Sequence, residues 1–420
     1  MTKASDNGPN DRYNLSLILF YTMGIVTQVS SSFILNAQLY WKYKFRDVDK
    51  EWDPANDSPN ELQKEFTADF SVVGNVTPLA TIALSVIFTR RWNITYRILA
   101  CFTIYIAIYL LIMLFALIDT DSWQRTFFYT TIVIVVLATS TNSLFLVTLL
   151  HLCAKFPPIY LAAMLSGQAM CGIFSSSVQI LTLIVDSNPT TNGLLYFSVA
   201  MLCIIVTFIM FLINRSHSKF FQYQIKQIVI DQTDRVNMKK ELVFTVLRNQ
   251  KTIFFALLFV AGATTMIQPG ITSTIRSMDQ GNGNKWNDTY FVPAITFLAY
   301  FICDLCGREL AMRIAKPSNS VAILIFSLCR IPLVVMLLMC NLSVKDSTPV
   351  IVQSDVIYIL LQLLLGLTNG FGLNICIVSA PRNYKNPKEE TTLTIAILAA
   401  IIVLGDAIAA SLGLILVKIL

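Results

Sequence analysis

From residue 14 to residue 418 the chain returns repeatedly to runs of about 20 residues that carry scarcely a charge, and this repetition narrows what it can fold into. A bilayer core roughly 30 Å thick takes about 20 apolar residues per helix. Eleven such spans are expected, at 14–36, 69–89, 96–118, 127–153, 159–185, 192–213, 252–271, 291–312, 319–341, 357–380 and 392–418. A soluble bundle would show apolar stripes with polar faces, whereas these runs are apolar on nearly all sides. Hydrophobic residues make up 55% of the chain and charged ones 13%, far from the rough quarter of soluble proteins. The expected fold is therefore an all-α polytopic membrane protein with eleven transmembrane helices. Met1 to Tyr13 is polar and the first apolar run is long enough to span, so no cleavable signal peptide is expected.

Lysine and arginine set the expected orientation. With residues 1–13 cytoplasmic, the inner loops carry Arg90, Arg91, Lys155, Arg313, Lys316, Arg382, Lys385 and Lys388. The inner connector 214–251 adds Arg215, Lys219, Lys226, Arg235, Lys239, Lys240, Arg248 and Lys251. Loop 37–68 mixes both signs, and its length lets it lie outside; the C-terminus is then outside too. The net charge of +6 follows from loop topology and calls for no nucleic-acid surface. The connector divides a six-helix bundle, 14–213, from a five-helix bundle, 252–420, as in carriers whose halves rock about a central site. Its QYQIKQIVIDQ segment is amphipathic and suited to the inner membrane surface.

Asn287 and Asn341 begin glycosylation sequons in outer loops, whereas the sequon at Asn93 falls inside. All nine cysteines sit in apolar spans, which argues against a disulfide framework. Cys303 and Cys306 share a helix face, but two thiols without histidine make a poor metal site, and core packing is their expected role.

Polar groups at membrane depth are the candidates for function. Gln168 stands in PPIYLAAMLSGQAMCGIFSSS, whose small residues allow close helix approach, and is expected on the wall of a solute pathway. Asp304 and Arg308 are four apart on one helix face, where they either form an internal salt bridge or point together into a cavity. Arg330 is expected to serve a carboxylate or a helix C-terminus. Asp406 could bind a proton or a cation, pair with Arg330, or bond to hydroxyls, and His151 is a weaker titratable candidate. Gln28, Ser30 to Ser32, Asn75, Thr77, Thr368, Asn369 and Asn374 either pack helices or supply the neutral donors and acceptors that a polar, uncharged solute needs.

PPIYLAAMLSGQAMCGIF, the proline of MIQPGIT, the D-x-x-G-R from Asp304 to Arg308, CRIPLVVMLLMCN and GLTNGFGLNICIVSAPR together resemble the equilibrative nucleoside transporter family, from about Arg12 onward. The resemblance implies a major-facilitator-like 6+5 arrangement that moves nucleosides, and sometimes nucleobases, down their gradients by alternating access. It implies no cofactor, no obligate protein partner and residence in a lipid bilayer; the N-terminus shows no acidic dileucine-like address, which favours the plasma membrane. By that resemblance Gln168 bonds the nucleobase, Asp304 and Arg308 meet the ribose hydroxyls, and Leu35, Val76 and Leu79 line the pocket. Ser31, Pro269 and Asn369 complete the expected substrate set. Familiar members carry Pro-Trp-Asn in helix one where this chain has Ser30-Ser31-Ser32, which opens the pocket. A relative in the family carries organic cations and monoamines, for which Asp406 would be a counter-charge. An enzyme would need a catalytic constellation around His151 or His217, and none is evident; a receptor would more typically have seven spans.

Overall fold

The computed structural model describes residues 9–49, 60–89, 92–153, 156–185, 188–231, 240–314, 319–342, 350–379 and 387–419. Arg90, Arg91, Lys155, Arg235, Lys239, Lys316, Arg382 and Lys385, counted above for orientation, lie outside these residues. The first half of the chain forms α1 (Leu15–Asn36), the short α2 (Gln38–Lys44), α3 (Glu61–Thr89), α4 (Ile94–Leu117), α5 (Gln124–Cys153), α6 (Pro158–Val185) and α7 (Pro189–His217). Helix α8 (Lys219–Asp231) opens the connector. The second half forms α9 (Lys240–Thr265), π-helical stretches at Trp286–Tyr290 and Val292–Ala299 that run into α10 (Tyr300–Ile314), then α11 (Ser320–Leu328), α12 (Ile331–Leu338), α13 (Asp355–Ser379) and α14 (Pro387–Ile419).

Among the described residues, eight helical runs are long and apolar enough to cross a membrane. Helices α3 and α14 carry shorter apolar stretches, Val72–Ile82 and Ile397–Gly413, and the run through α10 is interrupted by its own charges. Three expected boundaries move for local reasons. Helix α3 starts at Glu61 rather than 69, because Asn60 and Gln63 form a reciprocal cap: the Gln63 N–H donates to Asn60 Oδ1 at 2.8 Å and the Asn60 N–H to Gln63 Oε1 at 3.1 Å. The expected span 252–271 stops being helical at Thr265, shortly before Pro269 and Gly270, since proline has no N–H to continue a ladder. The span 319–341 is two helices that break at Cys329 and Arg330, where Pro332 suits the first turn of a new helix. Asn93, Asn188 and Asn319 each accept from the N–H two residues on and cap α4, α7 and α11; for Asn93 this is a structural use of its sequon side chain.

Glycines set how closely helices approach. A Cβ on Gly24 would overlap the carbonyl of Met164, and one on Gly167 that of Tyr21, so α1 and α6 touch backbone to backbone. In the second half Gly366 and Gly370 of α13 face the carbonyls of Tyr300 and Asp304, and Gly307 of α10 faces that of Leu367. The connector begins docked: Phe221 is buried among Phe20, Phe156 and Phe211, so α8 packs one face on the bundle. The halves meet where α6 packs on the Val292–Ala299 stretch and α10, and where α3 packs on α14.

Hydrophobic packing differs between the halves. Among the described residues, the first has one continuous, aromatic-rich core. The second has two. One gathers Ile267, Tyr300, Leu333 and Leu365, and the other Leu257, Ala311, Ile323 and Ile375.

Candidate functional site

Polar residues occupy the boundary between those two cores. Asp304 and Arg308, one turn apart on α10, form an ion pair with Arg308 Nε donating to Asp304 Oδ2 at 2.7 Å. The Asp304 side chain is 7% exposed and that of Arg308 26%, so the carboxylate is enclosed and the guanidinium reaches more open space. Asn369 of α13 donates through Nδ2 to Asp304 Oδ1 at 2.7 Å, so both carboxylate oxygens are held. Asn374 Nδ2 donates to the Arg308 carbonyl at 3.1 Å. Of the two expectations for this pair, the structure shows the salt bridge within α10, with Arg308 the more exposed partner.

Gln168 projects from α6 in the opposite half. Its Nε2 donates to Thr27 Oγ1 of α1 at 3.0 Å. One turn further along α6, Gly172 lies against the ring of Phe301, which is one turn before Asp304. At about 1.5 Å per residue on antiparallel helices, Gln168 falls at a depth between Asp304 and Arg308. A neutral amide on one half thus stands level with a charged pair on the other.

A second set of polar groups lines the first half. Ser31 Oγ donates to Gln28, Asn142 Nδ2 of α5 donates to Ser31 Oγ at 3.4 Å, and Tyr105 Oη of α4 donates to Asn142 Oδ1 at 2.7 Å. Asn142 is absent from the sequence-derived candidates, although an asparagine in ATSTNSLF at membrane depth carried the same signal as Asn369. Ser31 is thereby tied into a network of Gln28, Asn142 and Tyr105. Leu35 and Leu79 are half-buried, and Val76 is 41% exposed on α3.

Pro269 is half-buried in the turn after α9 beside a further unanticipated cluster. Gln268 and Gln362 both donate to the Thr296 carbonyl at 2.9 Å, Thr272 bonds to Gln268, and Thr296 shares a 2.7 Å bond with Tyr358. Three of these bonds converge on Thr296, within the Val292–Ala299 π-helical stretch, a wide form of helix frequent at functional positions.

Arg330 and Asp406 do not pair. Arg330 donates to the Val260 and Leu365 carbonyls and to the hydroxyls of Thr264 and Thr368, so neutral acceptors take the place of the expected carboxylate or helix terminus. Asp406 accepts from Thr265 Oγ1 at 2.7 Å, which is the hydroxyl option among those expected for it. His151 is exposed, two residues from the end of α5 and near Arg97, whereas Asp406 is bonded to Thr265 in the second half.

Comparison with known proteins agrees with this architecture. A family model described as nucleoside transporter matches residues 131–417. Equilibrative nucleoside transporter 3 of Rattus norvegicus is 26% identical over 424 residues, covering 96% of this chain and 89% of its own. Equilibrative nucleoside transporter 1 of Homo sapiens is 23% identical over 450 residues, covering 96% of each chain. Among solved structures, the nucleoside transporter NupG superposes with a TM-score of 0.55 at 13% identity, covering 97% of this chain and 91% of NupG. The inward-open xylose transporter XylE from E. coli does so with a TM-score of 0.54 at 11% identity, covering 96% and 90%. The fold is the one these carriers share, and the matched proteins are transporters rather than enzymes. With the match running over more than half of its length, and with the D-x-x-G-R pair and the α6 glutamine inside it, this chain belongs to the nucleoside transporter family, alongside the equilibrative nucleoside transporters.

Proposed function

We propose that the chain carries nucleosides down their gradient across a membrane, binding them between its two halves. One observation carries this reading: Gln168 stands level with the Asp304–Arg308 pair on the opposite half. An amide both donates and accepts, as the edge of a nucleobase requires, and Asp304 accepts while Arg308 donates, as ribose hydroxyls require. A solute that bonds to both halves favours their approach, which is the coupling alternating access needs. Leu35, Val76 and Leu79 supply apolar surface for the base, and Ser31, bonded toward Asn142, leaves room where a larger side chain would stand. Eleven spans, a cytoplasmic N-terminus, an outer C-terminus and residence at the plasma membrane complete the reading, supported by the distribution of lysine and arginine.

Uptake of labelled adenosine and uridine in cells lacking endogenous carriers tests it, and saturable uptake is the expected result. Gln168→Ala should raise KM several-fold at unchanged surface expression, the effect of losing about 1 kcal/mol of hydrogen bonding. Unchanged KM would remove Gln168 from the site.

A second reading, carriage of a small organic cation, has Asp406 as its observation, a membrane-depth carboxylate held by one hydroxyl. Uptake of an organic cation that is lost in Asp406→Asn, with nucleoside uptake absent from the parent, would favour it.

Glycosylation is proposed at Asn287, half-exposed in a π-helical turn between α9 and α10. Asn341 suits it less, because its amide donates to the Arg276 and Ser277 carbonyls. Endoglycosidase treatment should sharpen the mobility of the parent and leave Asn287→Gln unchanged; a shift that persists in Asn287→Gln would reassign the glycan.

A further inference from the structure

A single polar layer cuts the second half in two. On α9, Thr264 lies between Leu257 of one core and Ile267 of the other; on α10, Asp304 lies between Tyr300 and Ala311. At the α11–α12 break Arg330 lies between Ile323 and Leu333, and on α13 Asn369 lies between Leu365 and Ile375. All four are buried, Arg330 with only 2% of its surface exposed.

The bonds within the layer run in one direction. Arg330 Nη1 donates to the Val260 carbonyl and Nη2 to Thr264 Oγ1, both at 2.6 Å. A threonine hydroxyl has one proton, and with Arg330 occupying its acceptor side that proton goes outward. Two acceptors lie in reach, Asn369 Oδ1 at 2.8 Å and the Val260 carbonyl at 3.2 Å, and the second already takes a bond from Arg330. The shorter bond to Asn369 fixes that amide with its oxygen toward Thr264 and its nitrogen toward Asp304 Oδ1, at 2.7 Å. The chain therefore runs from Arg330 through Thr264 and Asn369 to Asp304, whose other oxygen is held by Arg308.

We propose that Arg330 is a positioning residue for the solute site: through Thr264 and Asn369 it orients the Asp304 carboxylate and keeps it ready to accept from the solute. The inference rests on the nucleoside-carrier reading. An arginine at membrane depth is costly and is retained where its charge is used. Among the described residues no carboxylate pairs with it; instead successive hydrogen bonds, each polarised by the one before, carry the influence of its charge to Asp304. Losing the relay leaves Asp304 with one fixed oxygen and Asn369 free to turn over, so the solute meets a misaligned acceptor.

Thr264→Val tests the relay with little change of shape, leaving the bonds from Arg330 to Val260, Leu365 and Thr368 in place. Concentration-dependent uptake of uridine and adenosine, normalised to protein at the cell surface, should show KM raised by about tenfold with Vmax changed far less, as for a hydrogen bond to a charged group. Thr264→Ser, which restores the hydroxyl, should return KM to within about twofold of the parent, and Thr264→Val with Asn369→Leu should cost no more than the worse single change, since linked residues are not additive. Parent KM in Thr264→Val, or a fall in surface protein and Vmax alone, overturns the relay while the carrier reading stands. Lack of saturable uptake in the parent itself, at verified surface expression, overturns the carrier reading and the relay together.

Discussion

Asp304→Ala is expected to bring nucleoside uptake to background in cells where the variant is still found at the surface. The aspartate is the junction of the second half: it accepts from Arg308 and Asn369 and sits at the end of the chain that begins at Arg330. Without it Arg308 and Asn369 both lose their acceptor, and breaking a pair that is largely buried costs up to about 3–5 kcal/mol. Part of that loss falls on folding and part on solute binding, so uptake must be normalised to surface-labelled protein. Asp304→Asn separates the two, because it keeps the shape and removes the charge. It too should lose more than about tenfold in uptake per surface molecule, since the amide nitrogen faces donors already present. Uptake above half the parent level in Asp304→Asn would exclude the carboxylate from the site.

The second large effect is expected at the glycines between helices. Gly370→Val should leave little full-length protein at the surface, at least about tenfold below the parent, because no rotamer relieves an overlap that begins at Cβ with the carbonyl of Asp304. Overpacking within a core costs about 1–3 kcal/mol where side chains can move, and more where the obstacle is backbone. Gly167→Val should behave alike at the α1–α6 contact, where the obstacle is the Tyr21 carbonyl. Gly74→Ala is the control: a Cβ there meets nothing within 4 Å, and alanine favours the helix. Surface biotinylation and thermal unfolding in detergent measure all three. Parent-like surface levels of Gly370→Val would mean that α10 and α13 do not approach as closely as described.

The site was unequally legible. The i, i+4 spacing of Asp304 and Arg308 announces a shared face, and the structure closes it at 2.7 Å. Gln168 was singled out by its isolation among small residues, and Gly167 beside it is where α6 meets α1. Asn142, Thr264, Gln268 and Gln362 were not singled out. Threonines are frequent in apolar helices and commonly bond back to their own turn, so nothing local marks Thr264 as the link between Arg330 and Asn369.

Sequence alone determined which segments are helical and apolar, because the length of an uncharged run, a cap such as Asn60 with Gln63, or a proline at a break acts within a few residues. It also determined the family, through motifs each confined to a short stretch of chain. Tertiary structure decided the partners. The bond from Arg330 to Thr264 spans 66 positions, that from Thr264 to Asn369 105, and that from Asn369 to Asp304 65. Such bonds exist only once glycines let α10 and α13 close to backbone contact and the α11–α12 break places Arg330 beside α9. A hydrogen bond needs its atoms within about 3 Å of each other, and at that scale the choice of partner belongs to the packing of helices and not to the order of residues along any one of them.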